Sequence, residues 1–155
     1  MHTQHTQRMK LPEIKISYSH RVPLSELPRI QSSNEAQKIA YDLFDQDEIG
    51  YRESTYLIVM NRSGRVLGAA LIGVGSSTAC IVDVKQCVQV ALKANANSVI
   101  MVHNHPSGNS EPSTNDKNIM KQLESAFDLL NIDVLDGIIV TPERGRYYSF
   151  KDNGL

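Results

Sequence analysis

Residues 99–116 read VIMVHNHPSGNSEPSTND. Four apolar residues, Val99 to Val102, pass directly into two histidines one residue apart, His103 and His105. A loop containing Pro106 and Gly108 follows, and Asp116 closes the stretch. The run SVIMV at 98–102 predicts a short central strand covered on both faces, because a half-exposed strand would alternate apolar and polar residues. Residues i and i+2 of an extended chain point to the same face, so His103 and His105 project together if the strand geometry persists. Two imidazoles on one side can share a divalent cation, with Asp116 as the candidate third ligand. Three protein ligands leave a fourth position for water, the mark of a catalytic rather than a structural zinc site. The same residues have a plainer reading. Ser113 followed three residues later by an acid is a capping-box pattern, and Asp116 would suit the positive end of a helix dipole. Spacing by itself leaves both readings open.

Outward from this stretch the chain alternates helix and strand patterns. Upstream, Val84, Cys87, Val88, Ala91 and Leu92 recur at helical spacing, ending near Asn95 to Asn97. STYLIVMN and RVLGAALIG flank the turn Asn61-Arg62-Ser63-Gly64 as a hairpin. A first helix is predicted from Ser33-Asn34, with Ala36, Ile39, Ala40, Leu43 and Phe44 on one face and the acidic run DQDE at its end. Downstream, Ile119, Leu123, Ala126, Phe127 and Leu130 mark a third helix. IDVLDGIIV is the next strand, Glu143-Arg144-Gly145 a turn, and RYYSF a last strand. Residues 1 to about 12 read as a flexible tail, and the alternation of Ile14, Ile16 and Tyr18 predicts a short edge strand. The expected fold is α/β (α+β), a mixed sheet flanked by helices. Residues 1–30 form its tail and edge strand, and residues 31–155 its domain. No internal repeat or low-complexity segment divides the chain.

A chain of 155 residues, 41% of them hydrophobic, suits one domain with a sizeable core. Sixteen Lys+Arg against 17 Asp+Glu leave a net charge of -1, so no global electrostatic footprint points to nucleic acid or to an anionic membrane. A direct contact with nucleic acid stays open, through a local patch, without support from the net charge. Cys80 and Cys87 fall in or beside the second helix and form no CxxC pair, so they read as reduced thiols of a cytoplasmic protein. MHTQHTQRMK has no apolar core and does not read as a signal peptide, and His2 and His5 within it read as surface residues. The longest apolar stretch, LGAALIGVG, is too short to span a bilayer.

The run His103-Asn104-His105-Pro106, six residues, then Ser113-x-x-Asp116 resembles the JAMM motif of the JAB/MPN family, internal spacing included. The form HNHPSG, with PSTND after it and YYSF near the C-terminus, is similar to the RadC branch, and the resemblance runs from about residue 30 to the end. It implies an MPN/JAB-like fold of cytidine-deaminase-like architecture. It also implies a zinc-dependent (Zn2+) hydrolase, a metallopeptidase or isopeptidase acting on a peptide or protein substrate; no oligomeric state is implied. The family's ligands carry over to His103, His105 and Asp116. Its catalytic glutamate carries over to Glu53 in YRESTYLIVMNRSGRVLG, and its motif serine, which supports the oxyanion, to Ser113. Pro106 shapes the loop. Periodicity and spacing would not have singled out Glu53, since a lone glutamate before a strand usually reads as a solvated charge.

Longer members of the RadC branch carry a helix-hairpin-helix segment ahead of this domain. The expectation is that this chain is the short form without it, which weakens the link to DNA repair. A non-enzymatic scaffold or binding module in DNA metabolism is the alternative function. One departure is visible: many relatives have a histidine within LD-x-IIV, where this chain has Gly137. Two histidines and a carboxylate also form the facial triad of iron oxygenases, but no other oxygenase pattern accompanies them. The H-x-E and P-C-x-x-C signature of zinc nucleobase deaminases is absent.

Overall fold

The computed structural model describes residues 11–17, 19, 21–77 and 82–155. Its elements are a 3-10 turn (Leu24–Glu26), α1 (Ser33–Asp42), β1 (Ser54–Met60), β2 (Val66–Val74), α2 (Val84–Lys93), β3 (Ser98–Asn104), α3 (Thr114–Asp128), β4 (Asp133–Val140) and β5 (Tyr147–Ser149). The strands form one five-stranded sheet in the order β2-β1-β3-β4-β5. Only the β3–β4 pair is parallel. A parallel pair needs a crossover, and α3 supplies it. The result is the mixed α/β sheet flanked by helices that the alternation of patterns predicted.

β3 is the middle strand, and all seven of its residues are buried. Its side chains alternate between two cores. Val99 and Met101 pack with Cys87 and Ala91 of α2 and with Leu123 and Phe127 of α3. Ile100 and Val102 pack on the opposite face with Ala36, Ala40 and Tyr41 of α1 and with Phe44 just after it. The strand runs two residues past the apolar segment, through His103 and Asn104. Hydropathy ended it at Val102 because both polar side chains look solvated in one dimension, yet both are buried in the fold.

Local chemistry sets the other boundaries. α1 is capped by Ser32 rather than Ser33, because Ser32 stands three residues before Glu35. Ser32 Oγ accepts from the Glu35 N–H, and the Glu35 carboxylate accepts from the Gln31 N–H. The β1–β2 turn is held by Asn61 Oδ1, which accepts the N–H groups of Ser63 and Arg65 at 3.0 Å each. It closes at Gly64, whose φ of +75° favours glycine.

In β4 the register slips by one residue: Val99 lies opposite Val134, but Ile100 opposite Asp136. The slip resets the alternation, so Ile138 and Val140 join the α1 core and Ile139 the α3 core. Gly137 then lies beneath α3. A Cβ there would stand 2.7 Å from Met120 Sδ and 2.9 Å from a Phe150 ring carbon, so Met120 and Phe150 occupy the space a histidine at this position would need.

The edge strand predicted from Ile14, Ile16 and Tyr18 does not form over residues 11–17. Ile14 and Ile16 stand 90% and 97% exposed. Alternation gives a segment a strand-like face, but a strand also needs an edge to pair with. Tyr18, the tail at 1–10 with His2 and His5, and Cys80 lie outside the described residues. Cys87 is a buried thiol in α2. Among the described residues no helix is long and apolar enough to cross a membrane.

Candidate metal centre

The crossover places the N-terminus of α3 beside the C-terminal end of β3, where open α/β sheets gather their ligands. His103 is the sixth residue of β3 and shares a face with Val99 and Met101, towards α3. Just beyond the strand, the His105 N–H still pairs with Val140 O at 2.9 Å, which holds the chain extended while the second imidazole joins the first. The loop turns at Gly108, with a φ of +83°, and returns to Ser113, the N-cap of α3.

Four ligand-type atoms from three residues meet there. His103 Nε2 and His105 Nε2 are 3.1 Å apart. His103 Nε2 lies 3.3 Å from Asp116 Oδ1, and His105 Nε2 3.1 Å from Asp116 Oδ2. Nitrogen ligands about 2.0–2.1 Å from a tetrahedral zinc would be separated by roughly 3.3 Å, so this spacing fits one ion. The donor chemistry agrees. The His105 Nδ1–H donates to the Asn109 carbonyl at 2.7 Å, a partner that in the neutral ring leaves Nε2 with its lone pair facing the other two groups. Electron-rich atoms this close repel one another unless a proton or a cation lies between them. His103, His105 and Asp116 could therefore form a metal site.

Asp116 does two jobs. Its Oδ2 accepts from the Ser113 N–H at 2.8 Å, and its own N–H donates to Ser113 Oγ at 3.0 Å, completing a capping box. The carboxylate that closes the capping box is thus the same one that faces both imidazoles. Burial by itself would raise its pKa, but hydrogen bonds from His103, His105 and the Ser113 backbone outweigh burial and hold the carboxyl well below the usual carboxylate range. Burial would lower the pKa of His105; the hydrogen bonds to Asp116 and to the Asn109 carbonyl outweigh it and raise it.

Glu53 comes to the same place from fifty residues away. β1 runs antiparallel to β3 with Thr55 opposite His103, so the residues before β1 continue towards His105. Strand parity puts Glu53 on the face of Thr55 and Leu57, the α3 side. Its backbone is fixed on one side, with its N–H donating to Ser76 O at 2.8 Å and its C=O accepting from the Gly75 N–H at 2.9 Å. Burial raises the pKa of its carboxyl, His103 and His105 oppose the rise, and Asp116 adds to it. Glu53, His105, Ser113 and Asp116 line one open cleft of about 720 Å³. The fold thus brings all five candidate residues together. The Asn109 carbonyl and the Gly75–Ser76 backbone carry no sequence signal, because what they contribute is main chain.

A mixed-sheet α/β domain with a His-x-His pair at the end of its central strand, facing an aspartate in the first turn of the crossover helix, defines the class. A family model described as the RadC-like JAB domain matches residues 30–155. The chain belongs to that family. It is 33% identical over 122 residues to a UPF0758 protein of Desulfitobacterium hafniense, covering 79% of this chain and 53% of the relative. It is also 33% identical over 130 residues to a UPF0758 protein of Flavobacterium johnsoniae, covering 84% and 55% respectively. The chain thus spans about half the length of these curated relatives.

Proposed function

We propose that this domain is a zinc-dependent amide hydrolase, a metallopeptidase or isopeptidase. The reading rests on one observation: two imidazole nitrogens and a carboxylate within 3.3 Å of one another, in a cleft that Glu53 also lines. Zinc bound by His103, His105 and Asp116 would supply a Lewis acid and a water acidified towards neutrality. Glu53 takes the proton of the attacking water and delivers it to the leaving amine, and its raised pKa suits that exchange. Ser113 Oγ already accepts from the Asp116 N–H, so its own proton serves to donate to the oxygen that gains charge as the carbonyl is attacked.

A peptide fits the cleft better than a nucleic-acid backbone does. The charged residues among its described lining are Glu53, Glu111 and Asp116, with no lysine or arginine to meet a phosphate. The cytoplasm is the proposed location, on the sequence pattern of two cysteines outside any CxxC pair. The test is a quenched-fluorescent peptide library with zinc-loaded protein, a chelated sample and Glu53→Gln. Glu53→Gln should keep its zinc and lose cleavage, because an amide cannot accept the proton. Equal cleavage by wild type and Glu53→Gln would remove Glu53 from the chemistry.

A further inference from the structure

The geometry points to Asn104, the residue between the two histidines, as the positioning residue that sets Glu53 against the metal site. This rests on the reading of Glu53 as the proton acceptor. Asn104 is fully buried, 0% exposed, and faces away from His103, on the α1 side of the sheet. Its side chain does not pack there as a spacer. Its Oδ1 accepts the Ser54 N–H at 2.7 Å. Its Nδ2 donates to Arg52 O at 2.9 Å and to Ile49 O at 2.7 Å. Two of these three partners are the backbone groups directly on either side of Glu53.

With the bonds from Gly75 and Ser76 to Glu53 itself, the peptide planes around Glu53 are held from two sides. Glu53 stands one residue outside β1, at a strand end that would otherwise be free to fray. Only an amide offers an acceptor and two donors at this reach. A hydroxyl has one proton, a carboxylate has none, and a hydrophobic residue would leave three main-chain groups, one buried and two part-buried, without this partner. One dipeptide therefore does two things. His103 presents a ligand on the α3 face, and Asn104 fixes the base from the α1 face. The distance between base and ligands is set through a single stretch of β3.

Hydrogen exchange on the metal-free full chain tests the clamp, with zinc content and library turnover of the loaded protein alongside. In wild type the Ser54 amide should be protected like the interior of β1. In Asn104→Ala the amides of Glu53 and Ser54 should exchange on the order of tenfold faster or more. Zinc stoichiometry should stay that of wild type. The turnover number should fall on the order of a hundredfold with KM within about twofold, the signature of a misplaced group rather than of lost binding. Asn104→Asp keeps the shape and the acceptor for Ser54 but loses the paired donors, and should show the same kinetic split. It serves if Asn104→Ala does not fold.

A Ser54 amide as unprotected as a frayed end in wild type overturns the clamp. So does full turnover by a variant whose amides have lost protection, or loss of zinc in step with turnover, which would place the effect at the ligands. If Glu53→Gln matches wild type in cleavage, the proposed chemistry fails, while the exchange comparison still decides whether Asn104 holds this segment.

Discussion

Removing the Asp116 carboxylate should separate its two jobs. In Asp116→Ala the Ser113 N–H loses its acceptor at 2.8 Å, and the first turn of α3 loses its acidic residue. Loss of a cap costs about 1 kcal/mol, with a few tenths more for the helix dipole. Loss of the cap should lower the metal-free melt by roughly 2–4 °C, as expected for about 1 kcal/mol in a domain of this size, in addition to what the lost contacts with His103 and His105 cost. His103→Ala removes a proposed ligand but leaves the capping box intact.

With zinc at about a thousand times its Kd, binding adds about 4.1 kcal/mol to wild type, or roughly 8–16 °C. A variant that binds about a hundredfold more weakly gains only about 1.4 kcal/mol, or roughly 3–6 °C, at the same concentration. Thermal melts with chelator and with zinc, and elemental analysis of zinc per chain, give both quantities. Both variants should lose most of the zinc shift, and Asp116→Ala, which loses the cap as well as the imidazole contacts, should fall further than His103→Ala in the metal-free melt. A zinc shift in Asp116→Ala as large as in wild type would refute its role as a ligand. Equal metal-free melting of Asp116→Ala and His103→Ala would refute the separate contribution of the cap.

The metal-free site should also make stability depend on pH. The Asp116 carboxyl is depressed from 3.8, so its contribution is full above that pH and is lost as the pH falls towards the folded value. His105 is raised from 6.5, so its contribution is full below that pH and is lost as the pH rises through the folded value. Urea midpoints of metal-free wild type minus those of His105→Ala should be largest between these two limits; a difference flat across pH would contradict the pairing. Gly137→Ala should destabilise by about 1–3 kcal/mol in chemical denaturation, towards the lower end because the flexible tip of Met120 can yield. A change within about 0.5 kcal/mol would mean that Phe150 and Met120 do not constrain the site. Burial pushes the Cys87 thiol up to about 11, so native protein at about pH 8 should resist alkylation there while unfolded protein reacts. Peptide mass spectrometry reads this, and rapid native labelling would show that α2 opens readily.

Much of the architecture was legible because it follows local rules. Apolar spacing located the three helices and five strands, and Asn61 to Gly64 announced the hairpin. Ser113 and Asp116 announced the start of α3. The errors have one kind of cause. Ile14 and Ile16 alternate as a strand would, yet find no partner in the sheet. His103 and Asn104 look like loop, yet lie in the middle strand. The cap of α1 moved one residue because Glu35, and not the serine alone, selects it. The one-residue slip in β4 left no mark in IDVLDGIIV, since it is settled by what lies opposite.

The sequence by itself determined the candidate ligand types, their i, i+2 spacing and the helix start that carries the third candidate, because each is a short-range property of an extended strand or a first helical turn. The resemblance of the HNHPSG and PSTND segments named Glu53, which no local pattern marked. Only the tertiary structure decided that these groups meet. The parallel crossover brings Asp116 back to His103, the antiparallel register of β1 brings Glu53 to His105, and Asn104 ties the two strands together at the site. These are relations between residues 13 to 52 positions apart, and a chain resolves them only when burial of both faces of β3 fixes one register.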